Sequence, residues 1–289
     1  MRLLMCPPDY FDVSYEINAW MHLGVVPDKS LAWEQWDRLH HTLTAGLSLD
    51  VSIINPRPGL PDMVFTANAG MVEGNTFLAS RMRFPERAAE TPHFVRWFLA
   101  HGYQVLHLPP NVFDRGEDGT MRQTAEHGGS QEAAAFNAHE GEGDALRYGD
   151  LILGGYGHRS SHEAQVTAGQ MLGHPVLPLK LIDSRWYHLD TCLTPLSDRL
   201  IAYYPGAFDV PSVHAIGQLP GDKIVISEED ALRFAANAVV SGNDVVLNAG
   251  CAQFERDLRS HGYRPHGVPL DEFLKAGGAA KCLVLILEP

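Results

Sequence analysis

Two spacings of apolar residues alternate along the chain. Ala32, Trp36, Leu39 and Leu43 fall on one helical face, with Ser30 as an N-cap and Gly46 as terminator. Thr91-Pro92 opens a second predicted helix, with Phe94, Trp97 and Phe98 turned inward and Gly102 at its end. Ser160-Ser161-His162-Glu163 reads as a capping box for a third, ending at Gly173. Ser227-Glu228-Glu229-Asp230 opens a fourth, predicted to reach Gly242, and a fifth spans about Ala252 to His261 before Gly262. Short apolar strands follow three of the glycines, at Val105, Val176 and Val245. Further strands are predicted at Leu151–Leu153, Leu200–Tyr203 and Lys223–Ile226.

Helix, glycine and strand in succession indicate an α/β fold. An ordinary α/β sheet gives the same signal, but five helix-ending glycines also suggest a repeat, with a unit of about 58 residues. The close spacing of Gly242 and Gly262 makes the fifth unit irregular. No Pro/Ser-rich linker interrupts the pattern, so residues 1–289 are read as one domain.

Composition narrows the function classes. Hydrophobic residues make up 45% and charged residues 20%, which fits a folded chain with a large core. A net charge of −13 argues against nucleic acid and anionic membranes as partners and suits a small cationic ligand. No apolar run approaches the roughly 20 residues of a membrane span. Pro7-Pro8 interrupts the first residues before a signal-peptide core could form. The four cysteines, Cys6, Cys192, Cys251 and Cys282, contain no CxxC pair, which disfavours a disulfide framework or zinc ribbon and favours a reducing compartment. A cytoplasmic protein is expected, and a homo-oligomer is compatible with everything above.

Of the cysteines, Cys282 has the setting best suited to reactivity. It follows Gly277-Gly278-Ala279-Ala280-Lys281 and precedes the strand Leu283–Leu287. Small residues let a substrate approach the backbone, and positive charge from Lys281 or a bound cation favours the thiolate. The plain alternative is a small buried hydrophobe at a strand start. Cys251 is the rival nucleophile because it opens a helix, whose dipole lowers a thiol pKa. Cys6 and Cys192 look structural.

Cys282, His188 and the segment Pro61-Asp62-Met63-Val64-Phe65-Thr66-Ala67-Asn68-Ala69-Gly70 resemble the guanidine-modifying superfamily of arginine deiminases, dimethylarginine dimethylaminohydrolases and amidinotransferases. The likeness covers essentially the whole chain, in the order acidic segment, Gly-Asp, Gly-x-Arg, His and C-terminal Cys. It is greatest for the arginine dihydrolase type, through Met5–Val13, Ile17–Met21, Phe65–Gly70, Pro85-Glu86-Arg87 and Glu142–Leu146. Dimethylargininases normally carry Glu-Asp where this chain has Ala67-Asn68. The resemblance implies a five-fold pseudosymmetric α/β propeller, or pentein. It also implies a hydrolase acting on the guanidinium group of arginine, without metal or organic cofactor, and a small-molecule substrate as partner.

The resemblance further implies roles. Cys282 attacks the guanidinium carbon, and His188 gives a proton to the leaving amine and then activates water. Asp62 and Asp144 match positions that contact the planar guanidinium, Asp144 being counted with the catalytic group. Asn68 offers a neutral amide, better suited than a carboxylate to the urea of citrulline and so to a second hydrolytic round. Arg87 and Arg159 match positions that clamp the substrate α-carboxylate. Asn18 adds a polar contact, Phe65 lies against the guanidinium or the substrate methylenes, and Asp190 orients or tunes His188. Without the resemblance, Asp62 and Asp144 read as turn residues, the arginines as surface ion pairs and Phe65 as core.

Two other classes compete. His158-x-x-x-His162-Glu163 would suit a metal-dependent hydrolase if both imidazoles shared a helix face, although the cap at Ser160 places His158 outside it. A non-catalytic arginine sensor on the same fold would need neither Cys282 nor His188. Gly154-Gly155-Tyr156-Gly157 lacks the remainder of a phosphate-binding motif. Among the enzymes, arginine dihydrolase comes first, then deiminase, dimethylargininase and amidinotransferase.

Overall fold

The structure, a computed structural model, describes residues 1–109, 113–115, 121–123 and 137–288. Strand β1 (Arg2–Met5) leads to helix α1 (Lys29–His41), a π-helical turn at Thr42–Gly46 and β2 (Asp50–Ile53). Then come β3 (Gly70–Glu73), β4 (Thr76–Ala79), the short α2 (Pro85–Ala88), α3 (Thr91–Ala100) and β5 (Gln104–His107). An isolated antiparallel pair, β6 (Phe113–Arg115) and β7 (Met121–Gln123), precedes β8 (Ala145–Tyr148), β9 (Leu151–Tyr156), α4 (His162–Leu172) and β10 (Val176–Lys180). The next group is β11 (Leu193–Ser197), β12 (Leu200–Tyr203), α5 (Val210–Gln218) and β13 (Asp222–Val225). The chain continues with α6 (Glu228–Ala231), β14 (Val239–Ser241), β15 (Asp244–Asn248), α7 (Ala252–Ser260), β16 (Arg264–Val268), α8 (Asp271–Leu274) and β17 (Leu285–Glu288).

Apart from β6–β7, the described strands form five mixed three-stranded sheets with one polarity pattern: β3-β4-β5, β8-β9-β10, β11-β12-β13, β14-β15-β16 and β17-β1-β2. In each, the first strand is antiparallel to the second and the second is parallel to the third. Local chemistry explains the alternation. Two-residue turns join the antiparallel pairs at Gly74-Asn75, Gly149-Asp150 and Gly242-Asn243, each with its glycine at positive φ, the conformation tight hairpins require. A parallel pair needs a longer crossover, supplied by α1, α3, α4, α5 or α7.

The first strands of all five sheets border one cavity of about 810 Å³, with Met71, Leu146, Leu193, Val240 and Ile286 among its walls. The helices pack outside. Phe94 and Phe98 of α3 are fully buried, each contributing roughly 1.5–3 kcal/mol of apolar burial.

Three expectations are corrected. Asp28, not Ser30, caps α1, its carboxylate accepting the Leu31 N–H at 3.0 Å. Ser161, not Ser160, caps α4, because the Ser160 hydroxyl is drawn to Asp144 instead. The helix opened by Ser227 stops at Ala231, and Gly242 turns a hairpin rather than ending a helix. Helix α5, capped by Asp209, went unpredicted because Leu219-Pro220 rather than a glycine ends it. With α5 restored, the units become regular.

Candidate active site

The segments leading into the five first strands carry a series of buried polar side chains. Asn68 precedes β3, Glu140 and Asp144 precede β8, His188 and Asp190 precede β11, Asn237 precedes β14, and Cys282 precedes β17. Because first and second strands run antiparallel, the start of one lies beside the end of the other. The segments leaving the second strands therefore bring Asn18, Arg87 and Arg159 to the same edge.

Cys282 is 2% exposed and held on several sides. Its N–H donates to Asn237 Oδ1 at 3.0 Å, its carbonyl accepts from Ala67 N at 3.1 Å, and Asn237 Nδ2 donates to its Sγ at 3.0 Å. The thiol in turn donates to Asp190 Oδ2 at 3.4 Å. Burial, reinforced by the Asp190 carboxylate, pushes the thiol well above its ordinary range. Burial also lifts Asp190 to about 7 against the pull of Lys281. Its Oδ1 has no hydrogen-bond partner among the described residues.

His188 opens a 3-10 turn, Leu189–Thr191, rather than lying in a strand, so Asp190 does not share a strand face with it. Asp190 faces the thiol, and the acid that holds the imidazole is Glu140, with Oε2 at 2.8 Å from Nε2. Burial pushes the imidazole down to about 4 although Glu140 opposes it. For Glu140 burial acts upward, but Arg159 and the His188 hydrogen bond outweigh it and hold the carboxyl below its usual range. A neutral ring beside an ionised carboxylate places the proton on Nε2, leaving Nδ1 as a free acceptor. Nδ1 is buried and unpartnered among the described residues.

Glu140 is the junction of the cluster. It also receives Arg159 Nη1 at 3.0 Å and the Arg83 N–H at 2.9 Å. Arg159 lies between the rings of Phe84 and Tyr187, 4.9 and 4.7 Å from their centroids, and donates to Ile17 O. Asp144 has both carboxylate oxygens engaged within the protein. One oxygen accepts from Ser160 at 2.7 Å and the other from Leu189 N at 3.0 Å, which pins the turn after His188. Burial raises Asp144 well above the carboxylate range.

Arg87 is wholly inside, forking onto Glu90 at 2.9 and 2.8 Å and donating to Asn68 Oδ1 at 2.7 Å and Asp62 O at 3.1 Å. Asp62 Oδ2 lies 3.8 Å from Arg87 Nε, while Oδ1 is unpartnered among the described residues. Burial raises the Asp62 carboxyl although Arg87 opposes it. Asn18 bridges Ala276 O and the N–H groups of Trp20 and Met21, and so shapes its turn while lying near Gly277. Phe65 packs edge-on to Phe11 and Phe273 and covers Gly278, where any side chain would strike its ring.

Lys281 does not charge the thiol directly. Its ammonium is held 2.8 Å from Glu142 and bonds Val284 O. Cys251 is pushed up to about 12, chiefly by burial and against the pull of Arg233, and among the described residues its thiol bonds Asn248 O. His158 stays outside α4, whereas His162 turns to Glu163 and the Tyr156 ring. Among the described residues no three His, Cys, Asp or Glu side chains converge in a metal-binding group.

Sequence reasoning missed Glu140, Glu90 and Asn237. The first stands in His139-Glu140-Gly141-Glu142-Gly143-Asp144, where three acids compete and nothing local selects one. Gly143 is the better signal, since a β-carbon there would lie 2.2 Å from Asn68 Nδ2 and 3.3 Å from His188 Cγ.

No family model matches the chain. It is 39% identical to an N(G),N(G)-dimethylarginine dimethylaminohydrolase of Mycobacterium tuberculosis, over 100% of this chain and 86% of that protein. It is 40% identical to the bifunctional arginine dihydrolase/ornithine cyclodeaminase ArgZ of Synechocystis, over 100% of this chain but 38% of that protein. The solved N-terminal domain of ArgZ, a cysteine-to-serine mutant bound to substrate, superposes with a TM-score of 0.86 at 39% identity, covering 99% of this chain and 97% of that one. A dimethylarginine dimethylaminohydrolase from Pseudomonas aeruginosa, also a cysteine-to-serine mutant and in complex with citrulline, shares the fold with a TM-score of 0.74 at 19% identity, covering 98% of each chain.

Proposed function

The chain belongs to the guanidine-modifying superfamily, close to the arginine dihydrolases and dimethylargininases, and from that premise we propose that it hydrolyses the guanidinium group of arginine through a covalent intermediate on Cys282. The carrying observation is the buried cluster in which Asp190 and Asn237 hold the thiol and Glu140 holds His188. The reading takes residues 1–289 as one catalytic unit acting on a small molecule in the cytoplasm. It takes the five sheets as blades of a five-fold propeller, supported by their shared polarity and by the cavity their first strands border.

The thiol is protonated in the free protein, so the substrate's own cation supplies the charge that favours thiolate. The unpartnered oxygens of Asp190 and Asp62 are the acceptors available to a guanidinium. Arg87 and Arg159 donate N–H groups to the substrate α-carboxylate beside their present acceptors, with Asn18 and Phe65 along the substrate's length. Cys282 gives its proton to His188 Nδ1 as its sulfur bonds to the guanidinium carbon, and His188 passes that proton to the departing nitrogen, which leaves as ammonia. Water, deprotonated by His188 Nδ1, then attacks the resulting thiouronium and returns the thiol, leaving citrulline. A second addition to the urea carbon, with one more water, gives ornithine, a second ammonia and carbon dioxide. Asp144 acts on this reaction by fixing the turn that carries His188.

A dimethylargininase reading comes second, favoured by the 39% identity to the Mycobacterium tuberculosis protein over most of its length. The neutral Asn68, fixed by Arg87, favours the dihydrolase. Separate incubation with arginine, citrulline and asymmetric dimethylarginine, followed by product identification, decides between them. Ornithine from arginine is expected. Citrulline as the end product from arginine removes the second round, and turnover of dimethylarginine alone replaces the reading.

A further inference from the structure

Each of the five segments leading into a first strand brings a polar group to the cluster, and the fourth contributes Asn237. Its bonding is unusually complete. Oδ1 accepts the Cys282 N–H at 3.0 Å, Nδ2 donates to Cys282 Sγ at 3.0 Å and to Asp190 O at 3.2 Å, and its carbonyl accepts the Lys281 N–H at 3.3 Å. Since Oδ1 must face a backbone donor, the amide cannot flip, and its NH2 is committed to the sulfur side.

The turn that presents Asn237 is strained. Phe234 has φ 55°, a left-handed conformation costly for an aromatic residue, and its ring is fully buried against Trp20, with centroids 4.8 Å apart. The strained residue accepts the Asn237 N–H on its carbonyl at 2.9 Å, while Ala235 N donates back to Asp230 O at 3.1 Å. Packing thus holds a disfavoured backbone in the arrangement that aims the amide at Cys282.

We propose that Asn237 is the thiol-directing residue of this site: its side-chain N–H fixes the Cys282 sulfur and stabilises the thiolate as it forms. No cation among the described residues is bonded to that sulfur. Asn237 and Asp190 are its side-chain partners, and the latter opposes ionisation. A donor bond to the charged form supplies what Lys281, occupied by Glu142, does not. The role in turnover rests on the proposed thiol chemistry, but the donor effect can be measured without any substrate.

The test is the pH dependence of Cys282 alkylation by iodoacetamide, followed by mass spectrometry of the peptide containing that cysteine. Wild type is compared with Asn237→Asp, which keeps the shape and the acceptor for Cys282 N–H but not the donor, and Asn237→Leu, which removes donor and acceptor alike. The rate profile should move to higher pH by about one unit, so that alkylation below the thiol pKa falls roughly tenfold. If a folded variant of either kind keeps the wild-type profile, the proposal is overturned. A shifted profile together with no turnover of any guanidine substrate upholds the role of Asn237 and removes the proposed function instead.

Discussion

Replacing Asp190 by Asn should stabilise the fold while damaging the site. The Asp190 carboxyl is 1% exposed, and burial lifts it from an ordinary 3.8 to about 7. In the unfolded chain it ionises near its ordinary value, so the folded state is penalised increasingly as pH rises from about 4 to 7. The stability associated with the protonated form is complete below the unfolded pKa and lost as pH passes the folded one. At about 1.4 kcal/mol per unit, the penalty is roughly 2 kcal/mol at pH 5 and about 4 kcal/mol at pH 8. Asn carries no such penalty. Urea unfolding of both proteins at pH 5 and pH 8 should show the variant's advantage growing by about 2–3 kcal/mol. An advantage independent of pH would refute the reasoning, since Asp190 would then have to be ionised in the fold or exposed to water. In the same variant KM for arginine should rise, because a carboxylate contact to the guanidinium is lost.

Glu140→Gln should lower kcat by roughly 100-fold in steady-state assays, because it removes the anion that fixes His188 through Nε2. Asn68→Asp should slow the second hydrolytic round more than the first, visible by chromatography as citrulline accumulating from arginine, since it puts an anion beside Glu140 O and Arg87. Gly143→Ala places a β-carbon 2.2 Å from Asn68 Nδ2 and should cost about 1–3 kcal/mol in urea unfolding together with most of the activity. Dialysis against EDTA should leave turnover unchanged; activity lost on dialysis and restored by zinc would reinstate a metal-dependent mechanism.

Periodicity made the α/β class and four of the five crossover helices legible, because each buries one face and stops at a recognisable signal. The α5 helix escaped because the reading required a closing glycine. Treating Gly242 as a terminator hid a hairpin whose Gly-Asn turn matches those at Gly74 and, with Asp, at Gly149. For the site, residue types at matched positions found Cys282, His188 and Asp190 but not how they connect. The pairings His188–Glu140 and Cys282–Asn237 join segments whose relative placement only tertiary packing sets, whereas Arg87–Glu90 is a local i,i+3 pair that the sequence spacing allowed. Nor does the Gly-Asp at Asp144 reveal in sequence that each of its carboxylate oxygens accepts a bond within the protein, from Ser160 and from a backbone N–H.

The sheet β17-β1-β2 pairs Leu285 with Leu4 and Ile286 with Leu3, residues separated by nearly the entire sequence. Cys282 lies three positions ahead of that pairing and is tied to Ala67 by its own carbonyl. A growing polypeptide therefore has its imidazole, its arginines and most of its core residues synthesised before the sulfur, and contacts at such sequence separation carry the largest loop-closure cost. Reactivity acquired at position 282 would accordingly report the pairing of β17 with β1, making a thiol probe a clock for the completion of folding.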